Sequence, residues 1–496
     1  LREVETVAPG ALDRFRLDLV EAGFRTADGR LWRGPVDASV ADLTTAEEMA
    51  ISIDNGWPFR HPRVYVSGLR PSVHLQGEAL CLWRVGDDSL AWLRLEDLRA
   101  RIAQWAERYR GRATLDDPIL DPHLYWTDGT APHLATLDLS TVSWGDGGSG
   151  RLRAARSDAL LEIGARGDLH VRWYGRAAMR HPPVNLEMVA EGLKSEQATN
   201  LARELERAGR PGGMDVLLLI WQTPASEPDI LALSFSRDAA DTLQAKAHEV
   251  ARTDVEVLLR RAGPDAEVLG TKSVVVIGQG SIGSNVSLLL ARSGVGRHTG
   301  VDRERLRPGD IVRHVGIFPG HDKTMTVLVQ MQRVAPWTEA EVVTESTWDP
   351  SRLRSIASGA DLVIDAVGES SFTEQLSRAL AGGTAQLLSI ALYRGGAVAR
   401  ARLWAPGSIA IHERGAGGYP PIPAGDGDDG ATWETGCASP VNNAPPVSVV
   451  SAAALASRIA VEALVGREVE SVDVVEVYRP IEPPFDRVTS HRFGGR

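Results

Sequence analysis

Leu12, Phe15 and Leu19 recur at helical spacing among Asp and Arg over residues 11–22. Leu98, Ile102 and Trp105 do the same over about 95–108, so the pattern predicts an amphipathic helix at each place. Between them, from Trp32 to Val66, short apolar runs break at polar residues and close on Trp57-Pro58-Phe59-Arg60-His61-Pro62, a pattern of strands and turns. Over residues 128–265, two β-like runs, 159–163 and 169–174, flank Gly164-Ala165-Arg166-Gly167-Asp168 and predict a hairpin. A helix is expected over 194–208, strands over 216–221 and 230–235, and a long helix from about 239 to 261. From residue 273 the periodicity sharpens. Ser273-Val274-Val275-Val276-Ile277 reads as a strand buried on both faces, followed by a glycine-rich turn and an apolar helix through Arg292. Asp361-Leu362-Val363-Ile364-Asp365 reads as another such strand, and an Ala-rich helix is expected at about 450–463. Strands alternating with helices predict an α/β half with a parallel sheet.

The chain has 496 residues, length for two to four domains, and its 43% hydrophobic and 24% charged residues exclude a disordered or fibrous protein. Lys+Arg at 54 against Asp+Glu at 65 leaves −11, which argues against nucleic-acid backbones as the main partner. The opening LREVETVAPG has no apolar signal-peptide core, and no apolar run approaches the ~20 residues that cross a bilayer, so a cytoplasmic location without membrane attachment is expected. Two cysteines, Cys81 and Cys437, are too few for a disulfide framework or a four-cysteine zinc site. Cys437 follows a stretch from 413 to 430 dense in Gly, Pro and Asp, which is loop chemistry. Cys81 follows a short turn that leads onto an apolar segment.

The candidate chemistry starts at Gly278-Gln279-Gly280-Ser281-Ile282-Gly283. Gly278, Gly280 and Gly283 allow a tight turn and close backbone approach, and the following helix offers unpaired N–H groups to phosphate. Asp302, 19 positions after Gly283, is placed to accept from a ribose hydroxyl, an arrangement that an NAD-dependent oxidoreductase shares. Arg313, in Asp310-Ile311-Val312-Arg313-His314, and Lys323, in Gly320-His321-Asp322-Lys323, then favour a triphosphate. Attack on an α-phosphate builds charge that positioned cations stabilise. Asp365 ends its strand at the carboxyl edge, where open α/β sheets bind ligands, and is the candidate to hold Mg²⁺ through water.

In order and spacing, Gly278–Gly283, Asp302, Asp310–Arg313, Lys323 and Asp365 together resemble the ThiF-type, ubiquitin-activating-like adenylating enzymes over roughly residues 255–496. The resemblance implies a Rossmann-like domain that uses ATP and Mg²⁺ to activate a protein's C-terminal carboxylate as an acyl-adenylate. Asp302 would bind ribose, and Arg313 and Lys323 the phosphates. Cys437, in a Gly-Cys-x-x-Pro context, would capture the acyl group as a thioester. Two departures stand out. Asp310 replaces the usual Asn, and Val367-Gly368-Glu369 replaces Thr-Asp-Asn, so the metal falls to Asp365 or Glu369.

Trp32-Arg33-Gly34, Trp57–Pro62, His74 and the run from Gly77 to Cys81-Leu82 resemble the ubiquitin-conjugating fold, in which Cys81 would accept the thioester. The His-Pro-Asn element of that fold is absent: His74 is followed by Leu75 and Gln76. The combination resembles bacterial fusions in CBASS-type anti-phage systems and other prokaryotic ubiquitin-like conjugation systems. It implies an α+β ubiquitin-conjugating-like domain over 1–127, a mixed α/β linker over 128–265 and the adenylation domain over 266–496. The implied partners are a ubiquitin-like protein or a CBASS-type nucleotidyltransferase with an activatable C-terminus, and target lysines on other proteins. A homodimer is implied too, with Arg260 or Arg261 reaching the neighbour's ATP. The alternative is a catalytically silent nucleotide-binding scaffold.

Overall fold

The computed structural model describes residues 10–70, 75–83, 90–112, 121–177, 182–191, 193–223, 227–345, 348–407, 422, 432–433, 440–441, 443–468 and 470–493. The chain forms two compact units, Leu1–Asp254 and Val255–Arg496, and the boundary expected at 265/266 falls inside the second.

The first unit holds two sheets with separate cores. A six-stranded antiparallel sheet begins Arg25–Thr26, Leu31–Pro35, Glu48–Ser52, Arg63–Tyr65 and ends on the short pair Ala79–Leu80 and Leu75–Gln76. Helices Ala11–Glu21 and Leu95–Glu107 bury Phe15, Leu19, Leu98, Ile102 and Trp105 with Trp32 and Ile51, as the helical spacing predicts. The second sheet has eight strands around Val216–Gln222, whose first six residues are all buried. Trp126 belongs to this second core: its indole N–H donates to the Ala245 carbonyl at 2.9 Å.

Two expectations fail in this sheet. Strands Leu160–Gly164 and Leu169–Arg176 do not pair with each other, because Ser149–Arg156 lies between them and pairs with both. That strand alternates Arg151, Arg153 and Ala155 outward with only Leu152 and Ala154 toward the interior, so its apolar signal is weak. The long helix over 239–261 is instead two strands, Leu243–His248 and Val250–Arg252, and the short helix Val255–Leu259. Ala245 and Ala247 bury one face against Pro228–Arg237, so sheet pairing overrides the helix propensity of alanine.

In the second unit the strands of the main sheet are β1 (Ser273–Ile277), β2 (Arg297–Val301), β3 (Glu339–Val343), β4 (Leu362–Asp365), β5 (Gln386–Tyr393), β6 (Val398–Trp404), β7 (Val472–Val477) and β8 (Thr489–Phe493), and Thr432–Trp433 pairs apart from it with Pro440–Val441. After the short helices Val255–Leu259 and Ala266–Leu269, the helices that flank the sheet are α1 (Ser281–Arg292), α2 (Lys323–Val334), α3 (Pro350–Ile356), α4 (Ser370–Leu380) and α5 (Pro446–Leu464). The sheet order is β3-β2-β1-β4-β5-β6-β7-β8, parallel through β5 and antiparallel after it. The chain reverses direction of travel between β1 and β4, and that is where open α/β sheets leave a crevice. Val274, Val276, Leu362, Ile364, Leu388 and Ile390 pack under α1 and α5 on one face, and Val275, Val363 and Leu387 under α3 and α4 on the other. One helix among the described residues, α5, is long and apolar enough to cross a membrane by length and composition. Ala452, Ala453, Leu455, Ala456 and Ala460 on it are buried in the core.

Candidate functional site

The site is built at the carboxyl ends of β1, β2 and β4, and the three loop glycines have three different reasons to be glycine. Gly278 has φ +86° and lies against the Ala366 backbone, where a Cβ would come within 2.9 Å. At Gly283 a Cβ would sit 1.8 Å from the Gly278 carbonyl oxygen, so the first turn of α1 is packed directly on the loop. Gly280, the N-cap of α1, has an ordinary negative φ and nothing within 4 Å of an added Cβ, so packing does not demand it. The open space lies over the free N–H groups of the helix, where a phosphate is favoured by hydrogen bonding and by the helix dipole.

Gln279 is fully buried and strapped on every side. Its backbone N–H donates to Asp302 Oδ2 at 2.7 Å, its amide nitrogen to the Val276 carbonyl at 3.0 Å, and its amide oxygen accepts from Ser287 Oγ at 3.0 Å. The Gln279 carbonyl accepts from His314 Nε2 at 2.7 Å, while His314 Nδ1 accepts from the Gly316 N–H at 2.8 Å, which fixes the imidazole as the Nε2–H tautomer. Burial pulls His314 down to about 4, against the hydrogen bond to Gln279 that works to raise it. His314 stands directly after Arg313 in the motif, yet the sequence reading gives it no role; a polar ring adjoining a phosphate-site residue was the available signal.

Asp302 follows β2 and accepts from both the Gln279 and Glu304 N–H groups. Burial raises its carboxyl above the usual range despite those bonds and the nearby Lys323. Lys323 opens α2, is 8% exposed, and its ammonium lies 2.6 Å from Glu304 Oε2 and 3.9 Å from Asp310 Oδ2. Burial opposes its charge, but Glu304, Asp310 and Asp302 together lift it above the ordinary lysine value. Arg313 follows the 3₁₀ turn Pro308–Val312. Its Nη1 donates to the Ala444 carbonyl at 3.2 Å just before α5, and its own carbonyl accepts from Asn285 of α1 at 3.0 Å. The structure thus gathers the loop, Asp302, Lys323 and Arg313 around one edge, each cation resting on an internal partner.

Asp365 differs from the expectation. It is 1% exposed, its Oδ1 accepts from the Val367 N–H at 3.0 Å, and its Oδ2 accepts from Thr373 Oγ1 of α4. Burial pushes its carboxyl above the usual range. A magnesium ion carried by a nucleotide needs a carboxylate oxygen presented to it. Both Asp365 oxygens instead hold the β4–α4 turn closed, Glu369 is exposed at the start of α4, and no group of three His, Cys, Asp or Glu is placed to hold a metal among the described residues. The metal assignment to Asp365 therefore does not fit this arrangement.

Cys437 and His74 lie outside the described residues. Cys81, just after Ala79–Leu80, is partly buried; burial raises its thiol above the ordinary value while Arg108 pulls the other way. Gln76 is exposed on the neighbouring short strand.

Residues 255–392 match the model of the ThiF family, so the site stands in a ThiF-type α/β domain. The ATP-dependent ubiquitin transferase-like protein Cap2 of Pseudomonas aeruginosa (strain BWHPSA011 / Pa011) is 32% identical over 142 residues, which is 27% of this chain and 25% of that protein. The uncharacterized protein y4oA of Sinorhizobium fredii (strain NBRC 101917 / NGR234) is 30% identical over 199 residues, 36% of this chain and 33% of that protein. The chain thus spans between a quarter and a third of these relatives' lengths. The crystal structure of E. coli MccB with ATP aligns at 15% identity over 46% of this chain and 64% of that one, with a TM-score of 0.35, too low to carry an inference.

Proposed function

We propose that the chain uses ATP to activate a partner protein's C-terminal carboxylate as an acyl-adenylate. The observation that carries this reading is the edge of the ThiF-type sheet, where an open space over the α1 N-terminus, the ribose-side Asp302 and the cations Lys323 and Arg313 converge. A carboxylate oxygen attacks the α-phosphorus, the bond from that phosphorus to the pyrophosphate oxygen breaks, and the two cations stabilise charge on both groups. Cys437 thiolate then displaces AMP to form a thioester, Cys81 accepts the acyl group by transthiolation, and a target lysine attacks. The two cysteines of the chain, in the two contexts read from the sequence, support this relay. The similarity to a ubiquitin transferase-like protein supports a conjugation step, and the resemblance to CBASS-type fusions read from the sequence is the ground for placing it in bacterial anti-phage defence. In this reading the protein is cytoplasmic and a homodimer, and residues 1–127 form the conjugating-like module. Magnesium would enter with the nucleotide.

Intact-protein mass spectrometry and non-reducing gels test the relay on wild type, Cys437→Ala and Cys81→Ala, each given ATP, magnesium and the proteins encoded beside it. The expected result is a reducible adduct in wild type, its loss in Cys437→Ala, and its confinement to residue 437 in Cys81→Ala. A silent nucleotide-binding scaffold is the second reading, favoured by the occupied oxygens of Asp365; ATP binding without pyrophosphate release or adduct would establish it.

Glu304 engages the Lys323 ammonium that the adenylation reading gives to a phosphate. Its side chain is 58% exposed, so Glu304→Gln should leave the fold intact and release the ammonium. ATP affinity by calorimetry should rise roughly three- to tenfold, in line with removing one competing charge-assisted bond. An unchanged affinity would mean that Lys323 does not meet the nucleotide.

A further inference from the structure

The registers of four adjacent strands set Asp365 on β4, Ser389 on β5, Arg402 on β6 and Asp473 on β7 in one row across the sheet. Partners in register present their side chains to the same face, which is the face of Val363, Leu387 and Trp404. Within that row the carboxylates are taken. Arg400, two residues along β6, donates to Asp473 through Nε at 3.0 and 3.1 Å and through Nη2 at 2.6 Å. Asp365 is held by Val367 and Thr373. Arg402 is left half-buried, attracted through space by Asp473 and Asp365 but with no hydrogen bond or ion pair among the described residues, its Cζ lying 5.4 Å from the centroid of the Trp404 ring. A guanidinium steadied on an aromatic face with its five donors unspent is a fork prepared for oxygen atoms of a ligand.

Its place along the sheet says which ligand. From one side to the other, level with the carboxyl end of β4, lie Asp302 after β2, the glycine loop after β1, Asp365 ending β4, and Ser389 and Arg402 within β5 and β6, which run on past that level. With ribose over β2 and phosphates over β1, the group that attacks the α-phosphate approaches from β4–β6. We propose that Arg402, with Ser389 beside it, binds the acyl end of the substrate: the carboxylate as it arrives, and the acyl carbonyl oxygen once the adenylate has formed. This rests on the adenylation reading. Arg402 keeps its proton throughout; the substrate oxygen forms the bond to phosphorus, and pyrophosphate leaves with the electron pair.

Two stable analogues separate this subsite from the nucleotide site. 5′-O-Sulfamoyladenosine presents ribose and a phosphate mimic, and its N-glycyl derivative adds the acyl group. Calorimetry on wild type should show the glycyl derivative binding about tenfold tighter or more. Arg402→Met should bind the plain compound within twofold of wild type and lose the preference, Arg402→Lys should recover part of it, and Lys323→Met should weaken both compounds. Thermal melts within a few degrees of wild type confirm that the variants are folded, and a misfolded Arg402→Met leaves Arg402→Gln to give the same readout. Retention of the preference in Arg402→Met, or no preference in wild type, overturns the proposal while leaving adenylation intact. Failure of wild type to bind either compound overturns both.

Discussion

Gly283→Ala should abolish nucleotide binding and destabilise the second unit by several kcal/mol, whereas Gly280→Ala should leave the unit folded and still lose ATP affinity. The added Cβ at 283 meets the Gly278 carbonyl oxygen at 1.8 Å. That carbonyl has nowhere to go: the Gly278 N–H donates to Val301 O at 2.8 Å, and the next residue is tied to Asp302 and to His314. A clash that neither side can relieve belongs to the rare class of substitutions costing more than ~4 kcal/mol. At 280 the methyl enters open space, so the cost to folding is under ~1 kcal/mol, that of an unfavourable N-cap residue. The same methyl occupies the approach to the α1 N–H groups, and ATP affinity should fall at least about tenfold, equivalent to ~1.4 kcal/mol. Circular dichroism melts together with calorimetry read the two variants. Wild-type ATP affinity in Gly280→Ala would place the phosphates somewhere other than over α1.

Acid should loosen the same unit well before general acid denaturation. His314 and the fully buried His298 are each pulled by burial to about 4 from an ordinary value of 6.5. Between those values the unfolded chain binds protons that the folded chain refuses. Stability is therefore complete above pH 6.5 and falls as pH drops toward 4, by on the order of 3 kcal/mol for each histidine. Asp302 and Asp365, raised by burial, act in the opposite sense, so the comparison that isolates the histidines is wild type against His314→Gln. Urea midpoints at pH 7.5 and 5.0 should differ clearly in wild type and by about half as much in the variant. Equal midpoints at the two pH values in wild type would show that both rings protonate without opening the structure.

Much of this was legible because burial on two faces writes an unmistakable pattern. The apolar run at β1, the glycine loop and the α1 boundary at Arg292 stand in the structure where periodicity puts them, and Asp302 and Asp365 close their strands as expected. The first-unit helices Ala11–Glu21 and Leu95–Glu107 are equally plain from their spacing. What escaped was long-range partnership. Nothing local to 149–156 reveals that an arginine-rich segment separates two apolar strands, and nothing local to 239–261 reveals that Pro228–Arg237 offers an edge to pair with. The occupied carboxylate of Asp365 depends on Thr373, eight residues away and one helix turn into α4. That Arg402 has no hydrogen bond among the described residues depends on Arg400 winning Asp473 across 73 positions of sequence. Residue types were readable; which of two like residues keeps its partner is decided only by the register of the sheet.

The burial of α5 bears on the order in which the chain can be made. β5 and β6 expose Leu388, Ile390, Ala399, Ala401 and Leu403 on the face that α5 covers, and β7, which completes the pairing of β6, comes later still. During synthesis that apolar face emerges before the helix that covers it. The half-made domain is therefore most adhesive after its nucleotide loop has emerged and before α5 and β7 follow to cover the face and complete the pairing of β6.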